Sequence, residues 1–372
     1  MSILLYKPDQ VFQAFLNVPG VYLYDPNKEI GPSDKIVFGK YWHLSSMLKI
    51  LEKDFLGAQQ NLNFEEKAEF LMTPELANFL QLPNSLVVFY NEYETANFIT
   101  KLDLLQEFIN QFFNLPPGKI LFSTSDYWNH QTLFNDLVLS YDWVNLREKR
   151  NYTHKNIVNF HGKKKYRMLS LNRRSNWERY RYCAYLNENF PEITQFTFLS
   201  IGMQPIDNKH LTVGQMENFN KILPRQIDGY DPQWDSLDGL LETIEQSYFL
   251  VIFETNAEDV KSAVQQVSEK SYKGIKTGKP FIIFTTKGGI LEHLRNLGFK
   301  TFAPFISEEY DNPLLSYNDR YNHLLKLTKR LCTMPDSELM ELYNQLEVIT
   351  VHNLENLKST ENIPNIFCAM ME

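Results

Sequence analysis

Two stretches, Ser85-Leu86-Val87-Val88-Phe89-Tyr90 and Lys119-Ile120-Leu121-Phe122-Ser123, decide the fold class together with what lies between them. Each is a short apolar run rich in β-branched and aromatic side chains, as expected of a buried strand. Across residues 98–113 the apolar side chains recur at three-and-four spacing until Pro116-Pro117-Gly118 closes the pattern. That spacing predicts a helix with a defined stop. A helix between two strands makes a crossover, and a crossover joins parallel neighbours. The first half is therefore expected to be an α/β domain built on a parallel sheet.

The same alternation resumes downstream. Strands are expected at 166–171, 196–201, 248–253 and 280–284, with a short final strand at 299–302. A helix capped by Ser175 is expected from Asn176, another over 269–276, a short one over 289–297, and two amphipathic stretches in 317–346 split near Pro335. Residues 148–165 are polar, basic and without apolar periodicity, which suits a linker. The expected organisation is an N-terminal domain over 1–150 and a C-terminal domain over 151–372 that ends in helices. The chain's 372 residues also favour two domains. No internal repeat and no glycine fingerprint of dinucleotide or P-loop type occurs.

Composition narrows the class. A hydrophobic content of 43% suits a globular protein rather than a disordered one. Cys183, Cys332 and Cys368 are too few and too scattered for a disulfide framework or a zinc site. No basic leader with an apolar core follows Met1, and no run of about 18 apolar residues occurs, so a cytoplasmic protein without a membrane span is expected. Net charge is −8, yet residues 147–181 hold twelve Lys/Arg against two Glu, a local +10. Such asymmetry points to an anionic partner for one face, with a solvated basic linker as the plainer account.

In a parallel α/β domain, ligands bind at the carboxyl ends of strands, so polar residues directly after strands are the candidates. Asn172-Arg173-Arg174-Ser175 sets two guanidinium groups beside a helix start, a pairing suited to a pyrophosphate. Glu254-Thr255-Asn256 offers a carboxylate, a hydroxyl and an amide fit for sugar or ribose hydroxyls, or for a helix cap. In Ser268-Glu269-Lys270-Ser271-Tyr272-Lys273, Glu269 and Lys273 lie one helical turn apart. There Glu269 would grip a ribose while Lys270 or Lys273 meets phosphate.

The pattern Ser-Glu-Lys-x-x-Lys-x-Ile-x-x-Gly-Lys-Pro-Phe-Ile from Ser268, followed by Leu291-x-x-Leu-x-x-Leu-Gly-Phe-Lys-Thr-Phe, resembles the donor half of GT-B glycosyltransferases. It is most similar to the α-1,3-fucosyltransferase-like group and related phage glycosyltransferases. In that group a Phe-Glu-Asn element precedes a Thr-Glu-Lys element; here Thr255 interrupts the first and Ser268 replaces Thr in the second. The resemblance covers roughly 166–311. It implies two Rossmann-type domains facing across a cleft, with C-terminal helices and a nucleotide-sugar as co-substrate. It further implies donor contacts from Glu269 to ribose, from Lys270 to pyrophosphate, and from Arg173 or Arg174 to the phosphates.

No Asp-x-Asp motif stands at a strand end, and lysine, arginine and helix dipoles can stabilise a leaving diphosphate, so metal-independent transfer without a cofactor is expected. Deprotonating an acceptor hydroxyl needs a base. Asp126 follows a buried strand and is flanked by Tyr127, Trp128 and His130, which suit an acceptor; Glu92, Glu94 and His130 are further candidates for the base. Rings interleaved with the cations of 147–181, namely Tyr152, Tyr166, Trp177, Tyr180 and Tyr182, suggest a nucleic-acid surface. With the phage resemblance, this makes 5-hydroxymethylcytosine in DNA one expected acceptor, reached by flipping the base. A glycan or protein acceptor, a non-catalytic nucleotide- or sugar-binding protein, and a virion interaction protein are the alternatives.

Overall fold

The computed structural model describes residues 3–5, 21–31, 34–41, 78–79, 82, 84–91, 120–124, 138–140, 161–172, 177–199, 212–227, 240–254, 268 and 270–359. The chain divides into two compact units, one containing the described residues up to 140 and the other those from 161 to 359.

The first unit is an α/β arrangement of six strands: β1 (Ile3–Leu5), β2 (Val21–Leu23), β3 (Lys35–Tyr41), β4 (Ser85–Asn91), β5 (Ile120–Thr124) and β6 (Val138–Ser140). They lie in the order β2-β1-β3-β4-β5-β6, and every pairing is parallel. The two runs that led the sequence reading are β4 and β5, side by side with Val87 opposite Ile120. The helix expected over 98–113 lies outside the described residues. Strand β3 was not anticipated, because Gly39 and two lysines leave only Ile36-Val37-Phe38 as an uninterrupted apolar core. Ile36 and Val37 are nonetheless buried.

The second unit runs β7 (Tyr166–Asn172), α1 (Trp177–Asn189), β8 (Thr194–Phe198), α2 (Val213–Asn220), α3 (Leu241–Glu245) and β9 (Ser247–Phe253). It continues with α4 (Ser271–Thr277), β10 (Phe281–Phe284), α5 (Ile290–Asn296), a 3₁₀ turn (Glu309–Asp311), α6 (Tyr317–Thr333) and α7 (Asp336–Lys358). The sheet order is β10-β9-β7-β8, again wholly parallel. Every residue of β9 is buried, as a central strand covered on both faces must be.

The pleat assigns the faces. On β7, Asn172 points to α1, where its amide donates to Cys183 Sγ at 3.3 Å. The α1 residue Tyr182 packs its ring on Phe253 and shares a 2.9 Å hydrogen bond with Thr328 of α6. Leu169, Leu171, Leu250 and Ile252 belong to the other face. Helix α4 approaches β10 so closely that a Cβ on Gly274 would stand 2.7 Å from the Phe281 side chain.

Two expectations need correction. Residues 299–302 form no strand. Phe299 and Phe302 are buried, but the backbone of Lys300 pairs with a side chain: Lys300 N donates to Asn353 Oδ1 at 2.7 Å and Asn353 Nδ2 donates back to Lys300 O at 2.9 Å. An asparagine of α7 thus takes the place of a neighbouring strand. The strand expected at 196–201 instead occupies Thr194–Phe198. Its end coincides with an antiparallel bridge from Phe198 to Arg225.

Candidate functional site

The order β10-β9-β7-β8 reverses between β7 and β9: the chain leaves β7 to form β8 on one side and later returns to form β9 on the other. Crossovers from such a pair run to opposite faces, and the space outside their carboxyl ends is left open by the backbone itself. The candidate site is therefore the carboxyl end of β7 and β9, where Asn172 ends one strand and Glu254 follows the other.

Glu254 is 3% exposed, and its carboxylate gathers the start of the next element. Ser268 Oγ donates to Oε2 at 2.5 Å, Ser268 N donates to Oε1 at 3.2 Å, and the Ser271 hydroxyl also donates to Oε1. These donors satisfy a charge that burial alone would penalise heavily. Ser268 Oγ in turn accepts from Lys270 N at 3.3 Å and from Lys270 Nζ at 3.4 Å. A continuous path thus runs from the Glu254 carboxylate through one hydroxyl to the Lys270 ammonium. Lys270 and Lys273 line a hollow floored by Leu169, Leu171, Leu250 and Ile252. The apolar face of the reversal point and two cations of α4's first turns therefore meet in one place.

Arg179, counted in sequence as part of a basic surface, is 3% exposed and donates through Nη2 to Phe253 O at 2.7 Å. It fastens the first turn of α1 to the last residue of β9, directly beside Glu254. No spacing in the sequence signals this, because the partner is a backbone carbonyl on another element.

The turn after β10, Thr285-Thr286-Lys287-Gly288-Gly289, was also not singled out, although its residues follow an apolar strand. Gly288 adopts φ 76°, and a Cβ there would meet Asp311 O at 2.5 Å, so only glycine fits. Arg320, 1% exposed, donates to Thr285 O at 2.9 Å and to Thr286 O. The start of α5 is already filled by an internal carboxyl group: Leu291 N donates to Asp311 Oδ2 at 2.8 Å. Burial pushes the Asp311 carboxyl up to about 7, against the pull of the Leu291 and Ile290 amides and Arg320.

The described cations of 147–181 are largely spent on the fold. Arg181 stacks on Tyr321 with its guanidinium carbon 4.1 Å from the ring centroid. Arg167 donates to Leu331 O at 3.0 Å and to Asp336 Oδ1 at 2.6 Å, tying β7 to the junction of α6 and α7. Lys164 is buried and donates to His161 O at 3.0 Å. Exposed Lys163 pairs with Asp336 at 2.5 Å. Tyr180 and Tyr182 are wholly buried, with Tyr180 packed edge-on against Phe219. Tyr180, Tyr182, Arg179 and Arg181 are thus turned inward and cannot serve a stacking platform, whereas Tyr166 and Trp177 are half-buried and Lys163 and Lys165 exposed.

Of the expected site residues, Glu254, Ser268, Lys270 and Lys273 are described and come together. Arg173, Arg174, Thr255, Asn256, Glu269, Asp126, Tyr127, Trp128 and His130 lie outside the described residues, as do Glu92 and Glu94. Among the described residues no cluster of His, Cys, Asp or Glu suits a metal ion, and no helix is long and apolar enough to cross a membrane.

No protein-family model and no curated protein matches the chain. Solved structures with some likeness include one described as trehalose-6-phosphate from E. coli bound with UDP-2-fluoro glucose, at 10% identity and TM-score 0.39, covering 100% of this chain and 99% of that one. A second is the UDP-GlcNAc 2-epimerase from Neisseria meningitidis bound to UDP-GlcNAc, at 9% identity and TM-score 0.36, covering 100% and 99%. A third is CalG4, the calicheamicin glycosyltransferase, at 10% identity and TM-score 0.33, covering 100% and 98%. TM-scores this low do not separate one α/β arrangement from another.

Proposed function

We propose that the chain is a nucleotide-sugar-dependent glycosyltransferase of GT-B type whose second unit holds the donor at the carboxyl ends of β7 and β9. The observation that carries this reading is the convergence of Lys270 and Lys273 on one hollow beside the strand-order reversal. Two lysines lining such a place suit a diphosphate, whose charge grows as the sugar leaves. Arg173 and Arg174, next in sequence after β7, and Glu269, just before Lys270, complete the proposed donor set, with Thr255 and Asn256 toward the sugar. In the first unit Asp126 is the proposed base, with Tyr127, Trp128 and His130 beside the acceptor.

The acceptor is a hydroxyl compound, and 5-hydroxymethylcytosine in phage DNA is the first to try. That choice rests on the resemblance of the donor half, because the described cations of 147–181 add little to it. Thermal unfolding with UDP, GDP and other nucleoside diphosphates tests the donor site: at 100 times the dissociation constant the right one adds about 2.7 kcal/mol. Lys270→Ala is expected to weaken that nucleotide at least about tenfold with folding unchanged. If no nucleoside diphosphate shifts unfolding, the donor reading fails. Transfer is then sought by mass spectrometry on hydroxymethylated duplex with a panel of nucleotide-sugars, where Asp126→Asn is expected to lower kcat by about a hundredfold or more. Adducts with none of the donors would remove DNA as the acceptor.

A further inference from the structure

We infer that Glu254 is a positioning residue that acts through the Ser268 hydroxyl to hold the Lys270 ammonium toward the donor phosphates, without itself touching the donor. This rests on the donor reading above and assigns Glu254 a different task within it.

The geometry is specific. A carboxylate facing a ligand leaves at least one oxygen toward it; here the Glu254 oxygens are engaged by Ser268 N, Ser268 Oγ and Ser271 Oγ, and the side chain is 3% exposed. The Ser268 hydroxyl spends its single proton on Glu254 Oε2 at 2.5 Å, so its lone pairs face Lys270 and accept from both N and Nζ. A hydroxyl that donates to a carboxylate becomes a better acceptor, so the negative charge of Glu254 is felt at the ammonium one bond further on. Glu254 is itself fixed: its amide donates to Phe284 O at 3.2 Å, and Arg179 holds the preceding carbonyl at 2.7 Å. Lys270 therefore takes its place from the central sheet instead of from the short helix α4.

The test separates this role from general support of the fold. Ser268→Ala breaks the path to Lys270 while leaving the Ser268 amide and the Ser271 hydroxyl on Glu254, and Ser268→Thr restores the hydroxyl. Affinities for the stabilising nucleoside diphosphate and for its parent nucleoside are measured for wild type, Ser268→Ala, Ser268→Thr, Glu254→Gln, Lys270→Ala and the Ser268→Ala/Lys270→Ala pair. Ser268→Ala and Glu254→Gln should each lose roughly tenfold on the diphosphate and little on the nucleoside. Ser268→Thr should stay near wild type, and adding Ser268→Ala to Lys270→Ala should cost less than about twofold more. Equal losses on both ligands, a fully additive double variant, or wild-type affinity in Glu254→Gln would each overturn the relay while leaving the donor site standing. Wild type binding no nucleoside diphosphate would overturn the donor reading and the relay with it.

Discussion

Two buried ionisable side chains give the second unit a pH response that can be argued residue by residue. Lys279 is 0% exposed, with its Nζ donating to Ser247 O at 2.5 Å, Tyr343 OH at 2.7 Å and Glu245 O at 3.3 Å. Those three acceptors match the donors of an ammonium, yet burial, with Lys164 adding to it, lowers the amine from 10.5 to about 6. Between these values the unfolded chain binds the extra proton, so this group makes stability rise with pH across that window. Asp311 acts oppositely: its carboxyl is raised from 3.8 to about 7, so the folded chain binds the extra proton and stability falls as pH rises between them. Denaturant titrations of Lys279→Met should show the slope of stability against pH reduced by up to about 1.4 kcal/mol per pH unit in its alkaline window, whereas Asp311→Asn should make the slope between its two values more positive by a similar amount. Unchanged slopes would mean that both groups titrate as they do in the unfolded chain. Sequence placed Lys279 inside a family-like pattern, but its partners come from α3, β9 and α7, so its task as a buried clasp was not legible there.

At the level of elements, α4 is the piece on which the candidate site turns. Gly274 sits one residue beyond Lys273, and the 2.7 Å approach that a Cβ would make to Phe281 sets how near α4 lies to β10. Gly274→Ala is expected to destabilise by about 1–3 kcal/mol through overpacking, read as a lowered unfolding midpoint. Phe281→Leu in the same chain should recover part of the loss, since the two side chains contend for one space. The limits of α4 were nearly visible from sequence, because the αL residue Gly278, φ 68°, ends it. The mistaken strand at 299–302 shows where such reasoning stops. Its aromatic and β-branched residues, Phe299, Thr301 and Phe302, satisfy the strand composition, but what decides strand from loop is the partner of the Lys300 backbone, and that partner is Asn353, a residue 53 positions away.

For the molecule as a whole, the cations of the second unit matter more by placement than by number. If Lys270 and Lys273 carry the diphosphate, transfer should proceed in excess EDTA within about twofold of the rate in magnesium; a collapse of activity on chelation, restored by a divalent ion, would assign that task elsewhere. The charge count of 147–181 was correct as a count, but Arg167, Arg179 and Arg181 turned out to hold β7, β9 and α6. A guanidinium on a buried carbonyl and one facing solvent look the same in a sequence. Parallel direction, the α/β class and, to within a few residues, β4, β5 and the four strands of the second sheet were legible in sequence alone, because apolar periodicity and the need for crossovers are local properties of the chain. Which strands are neighbours, where their order reverses, and hence which of many polar strand-end residues share a place with Lys270 were decided only by tertiary structure. Those facts depend on pairings between segments far apart in sequence, and no local pattern encodes them.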